Sequence, residues 1–73
     1  MALYEDALNV ARHYLGPAAE KFMTRQIERL PDADIHNLGS QHLEQLAKWC
    51  LSSGKLIMGE SKAKDFSEKV QAL

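Results

Sequence analysis

Tyr14-Leu15-Gly16-Pro17-Ala18-Ala19 joins two segments that both carry helical spacing. A glycine can take the left-handed conformation that ends a helix, and a proline fits the first turn of the next. The run therefore reads as a corner with almost no loop, which locks two helices at a defined angle. Tyr14 and Phe22 stand on either side, on the two faces expected to be buried. Gly16 and Pro17 are accordingly assigned to packing rather than to a ligand.

Working outward, the first helix is expected over residues 3–15. Leu3, Ala7, Val10, Ala11 and Tyr14 form one apolar stripe. Glu5 and Asp6 open it and Arg12 and His13 close it, as the helix dipole prefers. The second is expected over 17–30, with Ala19, Phe22, Met23, Ile27 and Leu30 inward and Pro31 as its stop. Pro31-Asp32-Ala33-Asp34 reads as a turn, and Ile35 and Leu38 pin the connection to the core.

The third helix is expected over 40–58, with Ser40 as N-cap. Leu43, Leu46, Ala47, Cys50 and Leu51 form its stripe, and Ile57 and Met58 continue it beyond Gly54. The rival reading breaks the chain at Ser52-Ser53-Gly54. Continuity is preferred because Gly54 falls on the same stripe, where it costs about 1 kcal/mol of propensity but lets another helix approach closely. Gly59 stops this helix. Ser61 is expected to cap a last one over 61–72, with Phe66, Val70 and Leu73 inward. The fold class is all-α: one domain over 1–73, a compact bundle of four helices with short connections. It also fits a domain cut from a longer chain.

A domain of 73 residues retains a net stability of only about 3–5 kcal/mol, so self-association would help it. Cys50 is the single cysteine, which excludes an internal disulfide and fits a cytoplasmic protein. The net charge of −1 and a pI near 6.3 argue against nucleic acid and against an anionic membrane. No apolar run approaches the roughly 18 residues of a membrane span.

The chain offers little chemistry. His13, His36, His42 and Cys50 show none of the spacings of a zinc site, so no metal and no cofactor is expected. No nucleophile–base or acid–base pair is visible, so an enzyme is not expected. Lys21, Arg25 and Arg29 lie four apart and make a basic edge on the second helix, next to Glu20 and Glu28. That edge is either a solvated face with local ion pairs or a contact for phosphate or an acidic partner. Ser40 starts a helix after a loop, as the modified serine of carrier proteins does, but Gly39 and Gln41 stand where that motif has Asp and Leu. Trp49 is either the lid of the core or an interface anchor. Tyr4 is a further exposed candidate.

The same Tyr14–Ala19 run, followed by Phe22-Met23 and a Leu43-Leu46 helix, resembles a short helical module of bacterial signalling proteins. That module carries a Tyr-(Ile/Leu)-Gly-Pro-x-Ala signature and commonly ends serine/threonine kinases, nucleotide cyclases and response regulators. The resemblance covers residues 10–51; beyond Leu51 this chain has a longer stretch and lacks the usual acidic turn before the final helix. It implies a non-catalytic accessory module. The expected function is protein–protein interaction or oligomerisation, with Trp49, Tyr4, Lys21, Arg25 and Arg29 as contact candidates. The alternatives are nucleic-acid or phosphate binding through the basic edge, and a carrier-like domain modified at Ser40.

Overall fold

The structure is a computed structural model, which describes residues 2–73; Met1 lies outside the described residues. It is all-helical, and the described residues contain no strand. Helix α1 spans Leu3–Leu15, α2 Ala19–Glu28, α3 Leu43–Met58 and α4 Glu60–Gln71. Three-residue 3-10 turns, Gly16–Ala18 and Ser40–His42, lead into α2 and α3.

The Gly-Pro corner is present, with a different local geometry from the expected left-handed cap. Gly16 has φ 59° and ψ −132°, a mirror-image extended conformation rather than a left-handed helical one. The Ala19 N–H then donates to the Gly16 carbonyl and winds Pro17 into a 3-10 turn. Helix α2 is thus shorter than the expected 17–30. At its far end the Arg29 and Leu30 N–H groups bond the Gln26 and Ile27 carbonyls, tightening the chain before Pro31, which disfavours a helical residue in front of it.

Helix α3 runs unbroken through Gly54. A Cβ on Gly54 would sit 3.3 Å from the Ala63 Cβ, so the glycine lets α4 approach α3 closely, as expected. Gly59 joins the two helices as a single residue at φ 86° and ψ 163°, a region that only glycine occupies readily. Its carbonyl accepts the Ala63 N–H at 3.0 Å. Gly59 therefore caps α4, and Ser61, the expected cap, lies inside the first turn. Helix α4 folds back antiparallel along α3, and the Ser67 hydroxyl donates to the Ala47 carbonyl at 2.9 Å. Because α3 and α4, joined by Gly59 alone, are one tight hairpin, the expected bundle of four helices is corrected to three packing units: α1, α2 and the hairpin.

Ser40 is not the cap of α3 either. Gly39 caps the 3-10 turn that leads into α3, and its N–H donates to Nδ1 of His42, the residue at the N-cap position of α3, at 3.0 Å. The imidazole takes the backward-reaching role that a Glu plays in a capping box. Its Nε2 lies 3.3 Å from Asp32 Oδ1 but is not aligned for a hydrogen bond. The connection before it is a polar knot. Asp34 Oδ1 accepts the N–H groups of His36 and Asn37, and Asn37 Oδ1 accepts that of Asp34. Leu38 is buried and Ile35 packs against the core, as expected.

The core joins Ala7, Leu8 and Ala11 of α1, Phe22, Met23 and Ile27 of α2, Leu46, Ala47 and Cys50 of α3, and Phe66 and Val70 of α4. Burial pushes the Cys50 thiol up to about 12, so it stays protonated, 3.9 Å from Met23 Sδ. Two residues of the expected inward stripes are outward. Ile57 is 62% exposed and Leu73 is 40% exposed.

An aromatic cluster explains why the corner sits where it does. Phe66 lies 5.3 Å from Tyr14 and 5.9 Å from Phe22, ring centre to ring centre, and so ties α4 to both sides of Gly16-Pro17. The Tyr14 hydroxyl donates to the Asp65 carboxylate, and Lys69 Nζ is 3.6 Å from the same group. The Tyr14 hydrogen bond first, and the Lys69 charge second, hold the Asp65 carboxyl below its ordinary 3.8. A carboxyl whose folded value is depressed stabilises the fold fully above its unfolded value and loses that stabilisation as pH falls below it. Thermal melts between pH 5 and pH 2 should therefore decline more steeply for wild type than for Tyr14→Phe, with the difference confined below about pH 4. Parallel declines would place this carboxylate outside the acid response.

Candidate functional site

Trp49, Ser53 and Leu56 recur at four and three residues and form a second face of α3, beside the core stripe. Helix α2 crosses this face without filling it. The result is an open groove of about 420 Å³ between the two helices. Gln26 of α2 is buried at the groove and accepts a hydrogen bond from the Ser53 hydroxyl at 3.0 Å. From α3, Leu56 and Ile57 stand at the groove with their side chains in solvent, Leu56 at 90% exposure. From the other side come Lys21, Arg25 and Arg29.

The basic edge read from spacing is therefore one wall of a groove. Its expected local ion pairs do not form: among the described residues no carboxylate reaches ion-pairing distance of Lys21, Arg25 or Arg29. Arg29 instead lies with its guanidinium carbon 4.7 Å from the Trp49 ring centre. Trp49 is half-buried and packs on the core. It is a lid of the core, and the outer face of its ring lies beside Arg29.

Tyr4, expected to be exposed, is half-buried against the core and stands apart from these four. It lines a separate polar depression of about 590 Å³ with Glu5, Arg12, Glu20 and His36. Ser40 is exposed at the first position of its 3-10 turn. His13 and His36 are exposed, His42 and Cys50 are buried, and the described residues bring no three metal-ligating side chains together.

No family model, curated protein or solved structure matches the chain. Leu56 and Ile57 are the functional candidates that sequence reasoning missed. Ile57 was assigned inward, and Leu56 drew no attention. The available signal was the second stripe of Trp49, Ser53, Leu56 and Ile57 running beside the first. The core stripe of Leu46, Cys50 and Gly54 masked it. No helix among the described residues is long and apolar enough to cross a membrane.

Proposed function

We propose that this chain is a non-catalytic protein-interaction module whose contact face is the α2–α3 groove. One observation carries the reading: a cationic wall without carboxylate partners and two exposed large aliphatic side chains face the same open groove. Binding at helix grooves draws on apolar anchors flanked by charges that set orientation and partner choice. The resemblance carried by Tyr14–Ala19 supports a place in a bacterial signalling protein. The lone, buried Cys50 supports a cytoplasmic setting.

The test is selection from a displayed library of helical peptides. Wild type should enrich peptides, and Leu56→Ser/Ile57→Ser should not, while its far-UV circular dichroism stays unchanged because both residues are outside the core. Sedimentation of wild type across a concentration series detects self-association in parallel. No enrichment together with a strict monomer would remove the reading. The unneutralised basic row favours a phosphate-bearing ligand as a second reading. Oligonucleotide binding that falls steeply with added salt would support it.

A further inference from the structure

We infer that the occupant of the α2–α3 groove is an acidic amphipathic helix of a partner protein. Its carboxylates would pair with Lys21, Arg25 and Arg29, and its apolar residues would lie on Leu56 and Ile57. This rests on the interaction reading above and names the partner chemistry.

Charge complementarity is the first argument. Lys21, Arg25 and Arg29 step along α2 and its C-cap at intervals of four, about 6 Å per step. A helical ligand carrying carboxylates at the same interval matches that row. No carboxylate pairs directly with the row. Glu20 and Glu28 line a depression together with Lys21 and Arg25, yet neither comes within ion-pairing distance of them. The facing wall offers Ser53, Leu56 and Ile57, none of them acidic. Arg29 is also held in place by its stack on Trp49, so a guanidinium is oriented before any ligand arrives.

The apolar half of the groove decides between ligand classes. A solvated basic face has no use for two aliphatic side chains at 90% and 62% exposure. A nucleic acid would set its charged backbone against them. Recognition of an anionic membrane surface uses clusters of about 4–8 cations, and this row has three. A second copy of the chain is also a poor fit. A symmetric pairing through the groove would bring the two basic rows together. Helix α4 of another copy would offer Glu60, Asp65 and Glu68 interleaved with Lys62, Lys64 and Lys69, with no net negative charge.

Two synthetic helical peptides of about 18 residues, five turns, test the assignment. Both carry the same Leu/Ile stripe, flanked in one by Glu at every fourth position and in the other by Lys. Binding is read from peptide fluorescence anisotropy and from the emission of Trp49. At low salt the Glu peptide should bind at least about tenfold tighter than the Lys peptide, and the preference should shrink in high salt. Arg25→Glu, at an exposed position, should shrink the preference, because the row falls from three cations to two with an anion between them, and Leu56→Ser/Ile57→Ser should abolish binding of both. Equal binding of the two peptides, lost in Leu56→Ser/Ile57→Ser, would overturn the acidic partner and leave the interaction module standing. Binding of neither peptide, or binding indifferent to Leu56 and Ile57, would overturn both. Displacement of the Glu peptide by anionic vesicles or by an oligonucleotide through the same residues would transfer the groove to that ligand class.

Discussion

Phe66→Ala is expected to leave the domain largely unfolded at room temperature. Phe66 is fully buried and is the largest side chain in the core to be so. Truncating a buried phenylalanine costs about 3–5 kcal/mol, the lost transfer energy plus the cavity left behind. A domain of this size has roughly that much in total. The site also has little means of collapsing. Tyr14 on α1 and Phe22 on α2 face Phe66 from separate packing units, so closing the cavity means moving α1, α2 and the hairpin together. The two aromatic pairs, worth about 0.5–1.5 kcal/mol each beyond area burial, place the loss toward the upper end of that range. Urea denaturation followed by circular dichroism checks this. Wild type should show a cooperative transition, and Phe66→Ala little or none. Phe66→Leu, which keeps most of the volume, should retain a transition at lower urea. A Phe66→Ala midpoint close to wild type would mean that α4 is not docked on the corner.

The cluster also shows what was legible in the chain and what was not. Phe22, Met23, Ile27, Leu46, Ala47, Cys50, Phe66 and Val70 were assigned inward from spacing alone, and all are buried. Periodicity succeeds there because each stripe is covered along its length by a neighbouring helix. It fails at Ile57 for the same reason in reverse. Periodicity tells which residues share a face of α3, but not where the covering helix ends. Helix α4 turns back through Gly59 and covers the face of Ala47 and Gly54. Helix α2 does not close over Leu56 and Ile57. Gln26 is polar yet buried, which an apolar stripe does not mark. It sits in register between Phe22, Met23 and Ile27 and becomes tolerable when Ser53 donates to it. The caps were misplaced for a comparable reason. Serine is a common N-cap, so Ser40 and Ser61 drew the assignment. The chain instead uses glycines whose backbone geometry or whose partner three residues on does the work. Of the candidate site, the basic row and Trp49 were readable as residues. Their convergence on one groove depends on how α2 crosses α3, which no local pattern encodes.

Gly16→Val should lower stability, whereas D-alanine at position 16 should raise it. The two changes place a Cβ on opposite sides of the same Cα, so their opposite signs report the handedness of the backbone angles. The Cβ of an L-residue at Gly16 meets no heavy atom within 4 Å, so the loss in Gly16→Val does not come from crowding at that atom. What remains is φ 59° and ψ −132°. For an L-residue this lies outside every favoured region, and a β-branched side chain suits it worst. The strain is worth about 1–3 kcal/mol. At roughly 4–8 °C per kcal/mol for a domain of this size, Gly16→Val should lose between about 5 and 20 °C of melting temperature. For a D-residue the same angles are the mirror image of ordinary extended backbone and carry no strain. The D-alanine then narrows the unfolded ensemble relative to glycine, a gain of about 0.4–1 kcal/mol. The chain is short enough to be made by chemical ligation, so both forms can be melted side by side. Equal losses in the two would mean that the space around Gly16 is filled rather than open. Two unchanged melts would mean that the corner relaxes to another conformation without penalty. That outcome would also unsettle the docking of Tyr14 and Phe22 on Phe66, since the corner sets the angle at which those rings meet.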